Sequence, residues 1–310
     1  MSKISPRICQ IDAPCKINLH LRVGGLRSDG FHELESIFLA LDFGDTLRFE
    51  LAGEGPPCRL RLTGPQALAM AGDAGEDNLV SRAVRLFRAR TGFDRPLEIV
   101  LEKRVPLGGG LGGGSSDAAS TLLALNTLSG AGLTGQDLGK LAVELGSDVP
   151  FFLTGGLAWV TGRGERIEAL EWSLPPGLAV VLVNPGFPSV TAGAFTRLDV
   201  YRAAHTGEPA LDRAAAMAML GAGPEAWTFR NDFLPVFLAG GDRQAEAYGA
   251  ILGELRRLGA AFAGLSGAGS TCFGIFRGSK EAEKALGGLK KRWECVYIKI
   301  PLAHSREVML

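Results

Sequence analysis

Six glycines lie between positions 108 and 114, interrupted only by Leu111, and Ser115, Ser116 and Asp117 follow at once. Glycine takes positive φ without a Cβ penalty and lets a backbone approach a ligand closely, at a cost in chain entropy that needs a compensating gain. Amides from such a loop, followed directly by a helix N-terminus, turn uncompensated N–H donors and the positive end of the helix dipole toward an anion. The chemistry expected of residues 106 to 116 is therefore the holding of a phosphate chain. The competing reading is a tight turn where packed elements cross.

What is missing narrows the type of phosphate loop. A Walker loop needs Lys and then Ser or Thr after its last glycine, yet Gly114 is followed directly by Ser115. Gly108, Gly110 and Gly113 satisfy G-x-G-x-x-G, but a dinucleotide fold needs a second strand after the helix, ending in an acidic residue. Here a second helical pattern follows, and Asp137, at about the right distance, lies inside it. No V-A-I-K, H-R-D or D-F-G partner of a protein-kinase loop is present.

The elements around the loop read as its scaffold. Alternating apolar residues such as Ile17, Leu19, Leu21 and Val23 predict a strand-rich opening between 15 and 62, punctuated by turns at Arg27 to Gly30 and Gly53 to Pro56. Leu79, Val80, Ala83, Leu86 and Phe87 form a helical stripe closed by Gly92. LEIVLEKRV reads as a strand running into the glycines, and the helix beyond is expected to take Ser115 or Ser116 as its N-cap. A further helix at TGQDLGKLAVELG and a strand from Phe151 to Val160 follow. Later come a strand at LAVVLV, a helix with the stripe Tyr248, Ile251, Leu252 and Leu255, a strand–glycine turn–strand unit through AFAGLSGAGSTCFGIF, a helix over 279–291 and a strand over 294–300. Strands and helices thus alternate, and a length of 310 residues predicts about two domains, taken as 1–165 and 166–310 and divided at the polar turn around Gly164.

Lysine plus arginine and aspartate plus glutamate number 33 each among 310 residues, which removes the basic excess that nucleic-acid binding uses. Hydrophobic residues at 46% and charged residues at 21% match an ordinary globular chain. No apolar run is long enough for a bilayer span, so no membrane partner and a cytoplasmic location are expected. Five scattered cysteines, with no C-x-x-C, read as reduced thiols, and the four histidines include no pair at metal-ligand spacing.

Three separated motifs, APCKINLHLRV at 13–23, PLGGGLGGGSSDAAS at 106–120 and SGAGSTCFGIF at 266–276, resemble in order those of the GHMP kinases, the family of galactokinase, homoserine kinase and mevalonate kinase. The resemblance covers most of the chain. It implies a two-domain α/β fold, with a left-handed βαβ crossover in the N-terminal domain and a ferredoxin-like C-terminal domain. The stretches K-I-N-L-H-L, R-S-D-G-F-H-E-L, E-D-N-L-V and G-S-D-V-P-F-F resemble the branch that phosphorylates the 2-hydroxyl of a cytidine-diphosphate-linked methylerythritol, a small-molecule substrate of isoprenoid synthesis. Cys15, Phe31 and Ala192 depart from the family's usual alanine, tyrosine and proline.

Carried over residue by residue, the resemblance makes Asp148 the catalytic carboxylate and Lys16 its cationic partner. Phosphoryl transfer asks the protein mainly for positioning and charge, and an aspartate is ordinarily ionised at neutral pH, ready to accept a proton. Asn18 is expected on substrate hydroxyls, His32 on the cytosine edge, Phe31 and Phe195 against its ring, and Thr191 at the diphosphate or erythritol end. Pro106, Gly108, Gly109, Gly110, Leu111, Gly112, Gly113, Gly114, Ser115 and Ser116 are expected on ATP phosphates bridged by Mg²⁺, and Asn78 and Lys103 toward the adenine. The bland alternatives are a turn aspartate at 148, a solvated strand lysine at 16 and core phenylalanines. Other classes on the same scaffold are a nucleotide sensor without catalysis and a mevalonate-branch decarboxylase.

Overall fold

The long apolar alternation near the start folds into two antiparallel strands, β1 (Ile8–Leu26) and β2 (His32–Leu51), of 19 and 20 residues. The computed structural model describes residues 8–68, 77–170, 174–205, 210–293 and 295–299. Cys9, Ile11 and Ala13 of β1 enter one core, whereas Cys15, Ile17 and Leu19, of the same parity, enter another. The pairing with β2 shifts register between Pro14 and Lys16. Such an irregularity re-aims a strand, so from this point the two side-chain sets exchange faces. Lys16 and Asn18, opposite Ala40 and Phe38, now point to the helix-covered side.

Around this pair lie β3 (Cys58–Thr63), β4 (Leu97–Glu102), β5 (Leu157–Gly162) and β6 (Arg166–Ala169), in the order β3-β4-β2-β5-β6 with β1 on β2. Strands β3 and β4 are parallel, with α1 (Leu79–Thr91) between them in sequence. Helices α1, α2 (Gly113–Ser129) and α3 (Gly135–Leu145) cover one face through a core that includes Phe49, Phe87, Leu122 and Leu141. Because β6 pairs with β5, the first sheet continues past residue 165 as far as Ala169, and the second sheet begins at Ala179.

The second sheet contains β7 (Ala179–Asn184), β8 (Phe262–Leu265), β9 (Cys272–Phe276) and β10 (Cys295–Lys299), antiparallel in the order β10-β7-β9-β8. Helices α5 (Thr191–Ala204), α6 (Arg213–Ala222), α7 (Phe233–Leu238) and α8 (Arg243–Arg257) stand between β7 and β8, and α9 (Ser279–Leu289) between β9 and β10. This is the ferredoxin-like βαββαβ arrangement with an enlarged first helical segment. The buried stripe Tyr248, Ile251, Leu252 and Leu255 joins α8 to this sheet. On its other face Val180, Leu182, Phe273 and Ile275 meet Cys15, Ile17, Leu19, Ile37 and Leu39 of the first sheet. No helix among the described residues is long and apolar enough to cross a membrane.

Two expectations fail locally. Phe151–Thr154 is a short helix, α4, and the strand starts only at Leu157. Pro150 sits at its N-cap with helical φ, and both phenylalanine rings bury in the first core, so tertiary packing overrides their strand propensity. Helix α2 begins at Gly113, not after Ser115 or Ser116. Gly112 turns the chain at φ +70° and its carbonyl already accepts from Ser116 N–H at 2.9 Å, so the last two glycines are helical. His304 lies outside the described residues.

Candidate active site

The turn in β1 aims Lys16 at a cleft of about 360 Å³ lying along the glycine loop. Its Nζ donates to Asn18 Oδ1 at 2.6 Å, lies 4.6 Å above the Phe38 ring and stands 3.5 Å from Asp148 Oδ2. The lysine side chain is 4% exposed, whereas Asp148, in the turn between α3 and α4, keeps 32% of its side chain open to the cleft. Asn18 Nδ2 donates to Ser36 Oγ at 3.0 Å, and Ser36 donates to the His20 carbonyl, so the lysine's neighbour is held in one orientation. Burial and the nearby Arg230 and Arg22 push His20 down to about 4, leaving a neutral ring here. The arrangement is a buried cation beside a half-open carboxylate, fit to receive a hydroxyl proton while limiting the build-up of negative charge.

The glycine loop closes the other side. Lys16 N–H donates to the Leu111 carbonyl at 2.9 Å, which fixes loop to strand. The turn after β8 grips it from behind: Ser266 Oγ donates to the Gly110 carbonyl at 2.8 Å, and Thr271 N–H to the Gly109 carbonyl at 3.1 Å. Ser270 N–H also donates to the Gly108 carbonyl at 3.3 Å, so the third glycine-rich motif packs against the loop. At Gly112, a Cβ would lie 2.7 Å from the Phe152 ring and 3.3 Å from Lys16 Cε. This glycine is therefore a packing position, and a side chain there would have to displace the Phe152 ring.

Lys16, Asn18, Asp148, Lys103, Pro106, Gly108 to Gly114, Ser115, Thr191 and Phe195 all line this cleft. Asn78, Ser116, Phe31 and His32 are not among its lining residues. Asn78 is the N-cap of α1, its Oδ1 accepting from Val80 N–H at 2.9 Å, while the following Leu79 lines the cleft. Ser116 is buried within α2. Phe31 is 49% exposed, with the Arg163 guanidinium 5.1 Å from its ring centre. His32 stacks on Phe195 at 5.3 Å between ring centres, its Nδ1 3.2 Å from the Gly24 carbonyl and its Nε2 3.4 Å from Asp199 Oδ2. Phe195 and Asp199 are one helical turn apart on α5, so a single helix face holds the imidazole. Sequence reading missed Asp199, because only the tertiary fold brings α5 to the start of β2.

Lys103 borders the cleft but is 1% exposed and bound to two carboxylates, Asp45 Oδ2 at 2.5 Å and Asp117 Oδ2 at 2.8 Å. Burial pushes Asp117 up to about 7, with the adjacent Lys103 opposing and Asp45 adding to the rise. Burial likewise raises the Cys15 and Cys272 thiols far above their ordinary value and Cys9 to about 11, so these sulfurs are packing groups. Among the described residues no cluster of three or more His, Cys, Asp or Glu side chains forms a metal nest.

Comparison with known proteins shows the family. Residues 78–156 match the GHMP kinases N terminal domain and 229–295 the GHMP kinases C terminal domain. The 4-diphosphocytidyl-2-C-methyl-D-erythritol kinase of Xanthomonas axonopodis pv. citri (strain 306) is 39% identical, with 90% of this chain and 87% of that one covered. The enzyme of the same name from Anaeromyxobacter sp. (strain K) is 41% identical, with 90% and 84% covered. A crystal structure of 4-(cytidine 5'-diphospho)-2C-methyl-D-erythritol kinase superposes with a TM-score of 0.76 at 34% identity, covering 94% of this chain and 98% of that one. A homoserine kinase from Cytophaga hutchinsonii, at 18% identity and a TM-score of 0.73, shares the fold, with 100% and 99% covered. With two family domains matched and relatives near 40% identity along nine-tenths of its length, the chain belongs to the GHMP kinases, among the 4-diphosphocytidyl-2-C-methyl-D-erythritol kinases.

Proposed function

We propose that this protein transfers the γ-phosphoryl group of ATP to the 2-hydroxyl of 4-diphosphocytidyl-2-C-methyl-D-erythritol, with Asp148 accepting the hydroxyl proton. The observation that carries the reading is the Lys16–Asp148 pair, 3.5 Å apart, facing the glycine loop across one cleft. The loop amides hold the phosphates, Lys16 offsets the charge developing near the attacking oxygen, and Asn18 orients the polyol. The hydroxyl oxygen forms a bond to phosphorus as the bond to the β,γ-bridging oxygen breaks, and ADP leaves. Thr191 and Phe195, at the start of α5, border the same cleft and supply contacts for the diphosphate and cytidylyl end.

Magnesium fits this donor set as an ion held chiefly by phosphate oxygens and water, since Asp148 is the sole carboxylate among the described lining residues. Bound there, the ion would neutralise charge on the β- and γ-phosphates, with the Asp148 carboxylate as the protein group able to face it. The test is ADP release by the purified protein with 4-diphosphocytidyl-2-C-methyl-D-erythritol, mevalonate, homoserine or galactose as acceptor. ADP should form with the first alone. Efficient use of another acceptor, or carbon dioxide release from mevalonate diphosphate, would overturn the assignment.

A further inference from the structure

Asp45, in β2, binds the entry of the glycine loop directly and is tied to the helix at its exit through Lys103. At the entry, its Oδ1 accepts two successive backbone N–H groups, Arg104 at 2.6 Å and Val105 at 2.9 Å, immediately before Pro106. At the exit, its Oδ2 lies 3.4 Å from where a Cβ on Gly113 would stand. The same Oδ2 accepts from Lys103 Nζ, which also donates to Asp117 Oδ2 on α2. One carboxylate and one ammonium thus join the strand end, the loop entry and the helix at the loop exit.

Stability alone does not account for this cluster. Apolar residues of similar volume often replace a buried ion pair without loss. Here two carboxylates share one ammonium at 0–2% exposure, and Asp117 Oδ1 has no hydrogen-bond partner among the described residues. What the charged groups add is direction: the two N–H bonds at Arg104 and Val105 fix the path by which the chain enters the loop. Asp45 does not line the cleft, so its influence on a nucleotide there passes through the backbone it holds.

We propose that Asp45, Lys103 and Asp117 are positioning residues for phosphoryl transfer, clamping the entry and exit of the glycine loop so that its amides stand ready for the phosphates. The proposal rests on ATP as the occupant of the loop. Steady-state kinetics of Asp45→Asn, with KM measured separately for ATP and for the cytidylyl substrate alongside the unfolding midpoint, test it. The variant retains a side-chain acceptor for the two N–H groups but loses the charge that faces Lys103. KM for ATP should rise about tenfold or more, the scale of one weakened charge-assisted hydrogen bond, while KM for the cytidylyl substrate stays within about twofold. A fall in the midpoint with unchanged KM for ATP, or an equal rise in both KM values, overturns the proposal. Should Asp45→Asn fail to fold, Asp117→Asn is read by the same criteria, with a smaller selective rise expected. Failure of the wild-type protein to form ADP would instead strike at ATP as the loop's occupant.

Discussion

In the proposed mechanism Asp148 is the proton acceptor and Lys16 its counter-charge, and their different exposure suits that division. The carboxylate is open enough to meet a substrate hydroxyl, while the ammonium sits behind it on Asn18 and the Phe38 ring. Asp148→Asn keeps the size and removes the acceptor charge. It should lower kcat at least about a hundredfold, with ATP affinity by titration little changed. Turnover near the wild-type value would remove Asp148 from the mechanism. Beside the cleft, Phe195, which lines it, stacks on His32, and Asp199 Oδ2 lies 3.4 Å from the imidazole Nε2. Asp199→Ala should raise KM for the cytidylyl substrate several-fold, about 1 kcal/mol in free energy, and leave KM for ATP unaltered. A matching change for ATP would mean that the contact only steadies α5.

The glycine loop shows how an element combines two demands. Gly112 has φ +70° and no room for a Cβ against Phe152 and Lys16. Gly112→Val should therefore both weaken ATP binding and lower the unfolding midpoint, by several degrees or more. Loss of ATP binding with an unshifted midpoint would assign the glycine to the ligand alone. Helix α2 carries a second measurable property at Asp117, whose carboxyl is raised from the ordinary 3.8 to about 7 by burial. The native state then holds a proton that the unfolded chain releases, so this contribution to stability is full below about pH 4 and is lost as the pH rises through 7. Asp117→Asn has no such proton to lose. Denaturant titrations between pH 5 and 8 should show the variant gaining stability relative to wild type as pH rises, and a constant difference would contradict the raised value. At this scale most helices and strands were legible from spacing, as with the stripe of α8. The start of α2 was not, because glycines read as loop until their hydrogen bonds show them helical. Nor was α4, where burial of two aromatic rings decides.

At the scale of the whole molecule, the two sheets share a core in which Ile17, Ile37 and Leu39 of one meet Val180, Leu182 and Phe273 of the other. Because each sheet buries apolar surface against the other, the two halves are expected to unfold together. Calorimetry should give a single transition, and Phe273→Ala should lower its stability by about 3–5 kcal/mol without splitting it. Two resolved transitions would show that each half is stable alone. The cleft lies where these halves meet, with β1 and the glycine loop on one side and α5 on the other. The sequence by itself determined the glycine loop and the α/β alternation, each a local pattern of residue types, and the resemblance of three motifs in order gave the kinase family. The resemblance paired Lys16 with Asp148, but only the tertiary structure showed the contact itself and the meeting of Lys103 with Asp45 and Asp117. Asp45 and Lys103 stand 58 positions apart, and Lys16 and Asp148 more than twice as far. Such pairs are set by strand register and by the turn in β1, and no periodicity along the chain encodes the distance between side chains brought together by packing.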